Sequence, residues 1–343
     1  MRAVFQIKNG PPEKAFEIRE TELPKVGPLD IRIKVRAFGL NFADVMARLG
    51  LYPDAPEKPG ILGYDVIGWV DAIGSEVQSD LKEGDHVVAL TRFGGYAEYV
   101  STDYRGVVAI SEDTDLAEGT ALATQGGTAY YMAYEMVQLH QGDRVLVHAA
   151  AGGVGSLLCQ MSKHRGAITY GTAGSEEKLS FLRSMNVDYP INYRKSNFYE
   201  EIAKIQKDDQ TSGLDVIFDP VGGSSVKKGF KLLGAGGRLV LFGASSMTSA
   251  KNVLSKLGIA LGFGIYHPIA LLSPSKALIG VNMLRIADDR PETLNRVLKG
   301  TVGLYEEGIL KPKSGGVYDI DALNEAHSNL EHRKTMGKIA IKW

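Results

Sequence analysis

The order of apolar and polar residues indicates two kinds of structure along the chain. In the first third, short segments alternate apolar and polar residues, as in Asp30 to Arg36 (DIRIKVR), and clusters of Gly, Asp and Ser separate them. Such alternation is typical of strands that have one buried face. The pattern predicts a mostly-β region that ends near Ala121, with strands at the N-terminus (MRAVFQIKNG) and at residues 30–36, 66–73, 86–90 and 105–110.

From about Gly126 onward, short apolar runs alternate with amphipathic helical patterns. Strands that alternate with helices are joined by crossover connections, and they form a parallel sheet. The predicted strands are 144–148, 167–171, 214–218, 238–242 and 277–281, and the predicted helices are 154–165, 176–185, 198–207 and 224–233.

The last part of the chain carries two amphipathic helices, 291–307 and 321–330, and a strand at 338–342. These pieces have no sheet of their own, so we expect them to return to the first domain. A chain of 343 residues is also too long for one simple core. We therefore predict an α/β protein with a mostly-β domain (1–121), a doubly wound parallel-sheet domain (122–270), and a final part (271–343) that ends the parallel sheet and returns.

Composition narrows the class of partner. The formal net charge is −1 and the chain has no basic tail, so nothing indicates a nucleic-acid partner. Cys159 is the single cysteine, which excludes an internal disulfide and a zinc site made of several cysteines. We expect this thiol to be buried in a helix, in a chain that works in a reducing compartment, with the cytoplasm as the default.

One segment, Val253 to Leu272 (VLSKLGIALGFGIYHPIALL), is apolar over nearly the length of a membrane span. Lys256, His267 and Pro268 interrupt it, so we interpret it as a buried or pocket-covering segment, with membrane contact as the minor alternative. A lone histidine beside a proline in an apolar run is more often structural than catalytic.

The segment from Arg144 to Gly155 (RVLVHAAAGGVG) is the most informative part of the chain. A short apolar strand leads into a glycine turn, and an apolar helical pattern follows. Glycines let a backbone approach phosphates closely, and a helix N-terminus offers unpaired N–H groups and a partial positive charge. The turn alone could be an ordinary tight loop, but its strand-turn-helix context favours a dinucleotide site at Gly152, Gly153, Val154 and Gly155.

Several motifs together resemble the zinc-free medium-chain dehydrogenases/reductases, in the quinone oxidoreductase (zeta-crystallin-like) group near the vesicle amine transport protein-like branch. The resemblance covers essentially the whole chain. It implies a GroES-like catalytic domain, a Rossmann domain, a cofactor in the cleft between them and a homodimer. Its carriers are GLNFADVMARLGLY (39–52), GDHVV (84–88), HAAAGGVG (148–155), INYR (191–194), DPVGG (219–223) and LFGAS (241–245).

The chain departs from the zinc-dependent members of this family. Those relatives carry an early cysteine and a later glycine-histidine-glutamate motif, where this chain has Asn41 and Gly63-Tyr64-Asp65. A catalytic zinc needs three protein ligands of His, Cys or carboxylate type. We therefore expect no metal, and we interpret Asp65 as structural.

The second predicted strand of the parallel sheet indicates the cofactor. NAD-preferring sites usually end this strand with a carboxylate, but here it runs into Gly171-Thr172-Ala173-Gly174-Ser175. The resemblance implies that Ser175, Lys178 and Tyr193 bind the 2′-phosphate of NADPH, and Arg333 could close around the same group. The alternative is an ordinary helix start with Ser175 as the N-cap, and both roles can hold together.

The resemblance also implies which residues face the nicotinamide and the acceptor. Tyr52 is the candidate proton donor or substrate positioner, since a tyrosine is protonated at neutral pH. The alternative for Tyr52 is a structural role as a half-buried aromatic residue in a loop. The alternative for Asp44 is to cap the helix that begins there. The catalytic candidates are Tyr52, Asn41 and Asp44, and the further cofactor candidates are Asn41, Thr128, Tyr130, Phe242, Gly243 and Ser245.

These inferences lead to one main hypothesis and two alternatives. The main hypothesis is an NADPH-dependent, zinc-independent oxidoreductase that transfers a hydride to a small-molecule quinone or another conjugated carbonyl. The first alternative is a reductase of enal or enone double bonds with the same fold. The second is a lipid- or membrane-associated binding protein that keeps the cofactor site and uses the apolar segment 253–272.

Overall fold

The computed structural model describes residues 1–250 and 252–343, without the side chains of Ser249 and Val253. The chain divides into two compact units. Unit 1 comprises residues 1–128 and 283–343, and unit 2 comprises residues 129–282.

The strands range in length from two to 11 residues. They are β1 (Arg2–Gln6), β2 (Phe16–Glu20), β3 (Asp30–Leu40), β4 (Gly60–Ile61), β5 (Asp65–Ile73), β6 (His86–Leu90), β7 (Tyr99–Asp103), β8 (Val107–Ala109), β9 (Arg144–Val147), β10 (Ile168–Ala173), β11 (Tyr189–Asn192), β12 (Leu214–Asp219), β13 (Leu233–Leu241), β14 (Ala277–Gly280), β15 (Ser314–Asp319) and β16 (Lys338–Lys342).

Helices of very different lengths connect these strands. They are α1 (Pro12–Ala15), α2 (Phe42–Arg48), α3 (Leu116–Ala121), α4 (Gly127–Tyr130), α5 (Gly153–His164), α6 (Glu176–Ser184), α7 (Phe198–Asp208), α8 (Ser224–Leu232), α9 (Val253–Gly262), α10 (Pro268–Leu272), α11 (Met283–Asp289), α12 (Pro291–Glu306) and α13 (Leu323–Glu331). Two π-helical stretches, Leu122–Gly126 and Tyr131–Met136, flank α4.

Unit 1 is built on two sheets. The smaller has the order β2-β1-β4, and the larger has the order β15-β16-β3-β5-β6-β8, with β7 also paired to β3. The late strand β16 pairs antiparallel with β3, so the end of the chain completes a sheet that the first hundred residues begin. Buried Arg48 anchors α2 to α13 through an ion pair with Glu331 of 2.5 Å.

Unit 2 is a six-stranded sheet in the order β11-β10-β9-β12-β13-β14. Each neighbouring pair of these strands is parallel. This is the doubly wound order in which the first strand lies at the centre and the chain extends to both sides. The predicted α/β fold class, with a GroES-like domain and a Rossmann sheet, is confirmed.

The strands that the sequence pattern misses are short or exposed. β11 contains Pro190, which argues against a strand, and β2 is mostly exposed, so neither shows a clean apolar alternation. The predicted strand 167–171 extends to Ala173 as β10, and helix 321–330 begins with a 3₁₀ turn before α13. The other strands missed are β4, β7 and β15.

The expectation that the segment 253–272 is buried is wrong. Six large apolar side chains of α9, α10 and the loop between them are exposed, and Ile265 reaches 95% exposure. His267 is the N-cap of α10 and accepts a bond from the Ile269 N–H at 3.3 Å, which agrees with a structural role. We call the exposed set the apolar face; its members are Leu254, Leu257, Leu261, Ile265, Ile269 and Leu272.

Within the described residues, no helix is both long enough and apolar enough to cross a membrane.

Candidate functional site

The glycine turn of unit 2 joins the central strand β9 to helix α5. Gly152 is the N-cap of that helix. A Cβ on Gly155 would lie 2.4 Å from the Ala149 carbonyl oxygen and 2.9 Å from the Ala150 Cα, so only glycine lets the helix start this close to the turn. The first N–H groups of a helix have no partner inside it. The turn therefore offers the backbone donors of Gly153, Val154 and Gly155 to an anion without side-chain bulk.

A buried polar layer shapes the neighbouring strand ends. Asp219 accepts hydrogen bonds from the N–H of Val221 at 2.6 Å, the N–H of Gly222 at 3.0 Å and the hydroxyl of Ser225 at 2.6 Å. His148 lies 3.0 Å from the Thr172 hydroxyl through Nδ1, and burial lowers the pKa of its ring. Asp219 thus fixes the turn before α8.

The end of β10 gathers hydroxyl and basic groups around Gly174. Ser175 is the N-cap of α6 and accepts a bond from the Lys178 N–H at 3.4 Å, so its predicted capping role is confirmed. The Tyr193 N–H donates to the Ala173 carbonyl at 3.1 Å. A Cβ built on Gly174 would lie 2.6 Å from the Tyr193 hydroxyl and 3.2 Å from Nε of Arg194. Tyr193 and Arg194 therefore pack directly over Gly174.

Glu176, which follows Ser175 directly, forms an ion pair on its own helix. Its carboxylate forms an ion pair with Arg183 at 2.8 Å, about two turns further along α6. Arg183 therefore offsets the negative charge that the sequence places next to Ser175.

The other predicted cofactor residues of unit 2 lie at its strand ends and on the helix before β9. The N–H of Phe242 donates to the Asp219 carbonyl at 3.2 Å and the N–H of Ser245 to the Pro220 carbonyl at 3.0 Å. A Cβ on Gly243 would lie 2.8 Å from the Pro220 carbonyl oxygen. The segment after β13 is thus held against the segment after β12. Separately, the Tyr130 ring packs on Tyr134 with centroids 4.9 Å apart.

In unit 1, five buried polar side chains form a single hydrogen-bonded group, which we call the Asn41 cluster. Lys338 Nζ donates to Asp65 Oδ2 at 2.8 Å and to Asn41 Oδ1 at 2.9 Å. Asn41 Nδ2 donates to Asp65 Oδ2 at 2.7 Å, and Gln125 Nε2 donates to Asn41 Oδ1 at 3.3 Å. Asp44 Oδ2 accepts from the Asn41 backbone N–H at 2.8 Å. The two acids and the lysine are fully or almost fully buried.

Burial sets the charges in the Asn41 cluster. It raises the pKa of Asp44 to about 8, and the nearby Asp65 adds to that rise. Asp44 therefore keeps its proton at neutral pH, while it caps the first turn of α2. Burial also lowers the pKa of Lys338, which the contact with Asp65 opposes. The capping role expected for Asp44 is confirmed.

Tyr52 is half-buried near the cluster, in contact with the same apolar core as β3 and β5. Its ring meets that of Tyr64 edge-on, with centroids 6.1 Å apart. Burial raises the pKa of Tyr52, and the Asp54 charge contributes, so the hydroxyl stays protonated and can donate a hydrogen bond.

Thr128 and Arg333, two further predicted cofactor residues, also lie in unit 1. The Thr128 hydroxyl donates to the Thr124 carbonyl at 2.6 Å, one turn earlier in the helix. Arg333 adopts a positive φ of 57° just after α13 and is exposed.

Cys159 is buried in α5, as expected, and burial raises the pKa of its thiol to about 12.

Sequence reasoning missed three residues of these groups. Lys338 and Gln125 complete the Asn41 cluster, and Arg194 lies beside Tyr193 at the end of β10. Arg194 is the last residue of the INYR motif, so the sequence does carry a signal for it. Lys338 gave one signal, since it stands at the start of β16 (KIAIK), directly before three apolar residues.

Comparison with known proteins agrees with this arrangement. The alcohol dehydrogenase GroES-like domain matches residues 27–112, and the zinc-binding dehydrogenase model matches residues 153–295. The synaptic vesicle membrane protein VAT-1 homologue of Homo sapiens is 34% identical over 95% of this chain and 82% of its own length. The chain belongs to the medium-chain dehydrogenase/reductase family, in its quinone oxidoreductase-like group near the VAT-1 branch.

Two further members of this family show the range of the match. The VAT-1 homologue of Danio rerio is 33% identical over 91% of this chain, which spans only 64% of that relative's length. The crystal structure of Escherichia coli quinone oxidoreductase complexed with NADPH has a TM-score of 0.86 and 26% identity, and both chains are covered completely.

The domain that matches residues 153–295 is described as that of a zinc-binding dehydrogenase. At the two places where zinc-dependent members have their motifs, this chain has Asn41 and Tyr64. Across residues 1–250 and 252–343, no group of three or more His, Cys, Asp and Glu side chains is arranged to hold a metal ion.

Proposed function

We propose that this chain is an NADPH-dependent reductase that works without zinc and transfers a hydride to a quinone or another conjugated carbonyl compound. The observation that carries the proposal is the group of hydroxyl and basic side chains at the end of β10. A nicotinamide dinucleotide fits the glycine turn, because the missing side chain at Gly155 leaves the helix N-terminus close to the end of β9.

The choice of NADPH over NADH follows from the residues around Gly174. An NAD site would place a carboxylate here to bind the ribose 2′-hydroxyl. This chain instead has Ser175, Tyr193 and Arg194, and Lys178 lies one turn along α6. Hydroxyl donors and a guanidinium suit a phosphate dianion, since charge-assisted hydrogen bonds to phosphate are strong.

The proposed reaction requires hydrogen-bond donors for the acceptor. When bound, the reduced nicotinamide supplies the hydride. The chain must orient the acceptor and stabilise the negative charge that develops on its oxygen. We propose that the Tyr52 hydroxyl and the Asn41 amide provide these donors, because Tyr52 remains protonated and Asn41 is held by its cluster.

The cofactor assignment is tested by calorimetric titration of wild type and Ser175→Asp with NADPH and NADH. Aspartate is as good an N-cap as serine, so α6 keeps its cap while a carboxylate enters the site. We expect NADPH to bind at least about tenfold more weakly to the variant, and NADH to bind as before or more tightly. Ser175→Asn is the matched control, since it also caps the helix but adds no charge. An equal loss for both cofactors would contradict the assignment.

The acceptor class is tested separately. NADPH oxidation is followed with a panel of quinones, enals and enones in the wild-type protein. Oxidation that depends on quinone supports the main proposal, and oxidation with enals or enones alone identifies a double-bond reductase of the same fold. Tight NADPH binding without turnover would favour a binding role.

We further propose that a second copy of the chain covers the apolar face of unit 2. The last residue of this face, Leu272, precedes β14 by only four intervening residues, and among the described residues β14 is the edge strand of its sheet. Unpaired edges and exposed apolar side chains both promote association, and identical chains usually associate through a twofold axis.

Sedimentation velocity tests this association. We expect a dimer for wild type and a monomer for Ile265→Lys, while Leu23→Lys, which charges an exposed leucine of unit 1, remains a dimer. A monomeric wild type would contradict the proposal. If that monomer sediments with phosphatidylserine vesicles and Ile265→Lys does not, the apolar face serves a lipid surface instead.

A further inference from the structure

The Asn41 cluster lies where three strands of unit 1 begin or end. β3 ends at Leu40, β5 begins at Asp65 and β16 begins at Lys338. β16 pairs with β3 through Ile339 opposite Leu40. Antiparallel pairing therefore brings the first residue of each neighbouring strand beside the last residues of β3.

Gly39 makes room for the ion pair of this cluster. A Cβ at this position would lie 2.0 Å from Asp65 Oδ1 and 2.2 Å from Lys338 Cε. Lys338 and Asp65 thus occupy the space that a side chain on β3 would fill. The ion pair therefore packs against the backbone of β3 at Gly39, two residues before Asn41.

The cluster selects one orientation of the Asn41 amide. Its carbonyl oxygen accepts from the Lys338 ammonium and from the Gln125 amide, and its nitrogen donates to Asp65. Turning the amide over would place its NH₂ group against the ammonium and its oxygen against the carboxylate. The observed orientation uses one N–H of the amide in these bonds and leaves the second for another acceptor.

We propose that Lys338 is a positioning residue for the reductase reaction, in that it fixes the amide of Asn41 so that Asn41 presents an N–H, and not its carbonyl oxygen, to a hydrogen-bond acceptor atom of the bound substrate. Asp65 holds the ammonium in place and receives the other N–H. Lys338 therefore acts through Asn41 and touches no reacting atom. This inference rests on the function proposed above.

A double-mutant cycle measures whether Lys338 acts through Asn41. We expect Lys338→Met and Asn41→Ala each to lower kcat by about tenfold, which corresponds to the loss of one hydrogen bond of ordinary strength. If the lysine acts through the amide, the double variant is no slower than Asn41→Ala alone. Losses that multiply would overturn the proposal, as would an unchanged kcat in Lys338→Met. Lys338→Arg, which keeps a cation, should restore part of the rate.

A matched control separates positioning from general stability. Arg48 is a second fully buried cation of unit 1, paired with Glu331 and outside the Asn41 cluster. Arg48→Met should lower the melting temperature but leave kcat at wild-type level. If Lys338→Met does not fold, Lys338→Met with Asp65→Leu replaces both charges by apolar groups, which is often neutral for stability, and the same loss of kcat is expected.

A readout without turnover tests the orientation itself. In protein labelled with ¹⁵N at asparagine, the side-chain NH₂ signal of Asn41 is identified by its loss in Asn41→Ala. We expect one of its two protons to exchange slowly in wild type, because it is bonded to Asp65, and quickly in Lys338→Met. Equal exchange in both proteins would overturn the positioning role. Absence of turnover by wild type with every acceptor would instead count against the proposed function, with the NMR result still standing.

Discussion

The Asn41 cluster of unit 1 and the end of β10 in unit 2 both gather polar side chains, but they satisfy them in different ways. In the cluster, buried side chains bond to one another, and a lysine and an aspartate have no contact with water. At the end of β10, the turn and its glycines set the geometry, while Tyr193 remains 39% exposed. The first region is fixed by its own bonds, and the second is a more open surface, where we propose that the cofactor binds.

This difference decides which property a substitution changes. An unpaired charge in a buried group costs stability, because no water replaces the lost partner. A changed side chain on an exposed turn costs little in stability and changes affinity instead. Substitutions in the cluster should therefore change the free energy of unfolding as well as turnover, whereas substitutions at the end of β10 should change cofactor affinity with little effect on stability.

The largest effect is expected for Asp65→Ala. It leaves the ammonium of Lys338 buried without its carboxylate, so the free energy of unfolding should fall by about 3–5 kcal/mol. Asp71→Ala is the matched control on the same strand, since Asp71 pairs with Arg32 near the surface and should contribute less than about 1 kcal/mol. Urea denaturation measures both. Similar losses for the two variants would remove the contrast between buried and exposed pairs.

The next effect is a pH dependence that comes from Asp44. Its pKa is about 8 in the folded chain, against about 4 in an unfolded one. Between these values the folded state holds one more proton, so this group lowers stability as pH rises from about 4 to about 8. Asn cannot titrate, yet its oxygen can still accept from the Asn41 N–H. Stability of wild type relative to Asp44→Asn should therefore fall between pH 5 and pH 8, by at most about 1.4 kcal/mol per pH unit. If the stability difference between the two proteins does not change with pH, the pKa of Asp44 is not raised and the prediction is wrong.

A smaller loss of stability is expected for Gly155→Ala in the glycine turn. The new methyl would lie 2.4 Å from the Ala149 carbonyl oxygen, so α5 must shift and stability should fall by about 1–3 kcal/mol. Dinucleotide affinity should fall as well, because the helix N-terminus moves. Gly258→Ala in α9 has open space around its Cβ and should be neutral or stabilising. Unchanged dinucleotide affinity in Gly155→Ala would show that the glycine turn does not bind the cofactor.

The smallest change in stability is expected for Tyr52→Phe, which removes one half-buried hydroxyl. Stability should stay within about 0.5 kcal/mol of wild type. Turnover should fall about tenfold if the hydroxyl donates to the acceptor, with NADPH affinity unchanged. Steady-state kinetics with several acceptors decides this, and full activity with all of them would remove Tyr52 from the mechanism.

The two regions also differ in how far the sequence reveals them. The strand, glycine turn and cap of unit 2 are consecutive in the chain, so local patterns predict them, and Ser175 is the N-cap as expected. The predicted bounds of β6 and β16 match the structure, since each is a short apolar run between clear breaks. The Asn41 cluster depends on pairing between strands. Asn41, Asp44 and Asp65 each stood out, but a lysine at 338 is normally interpreted as a surface residue.

The bond between Lys338 and Asp65 spans 273 residues, which has a consequence for synthesis of the chain. Unit 2 is continuous in sequence and can fold while later residues are still being added. Unit 1 cannot finish until β16 arrives, because until then one edge of β3 lacks its partner and Asp65 lacks its cation. Premature termination before residue 338 thus produces an exposed strand edge and an uncompensated carboxylate at the same place. An interrupted chain should for this reason aggregate or be degraded, although unit 2 is complete.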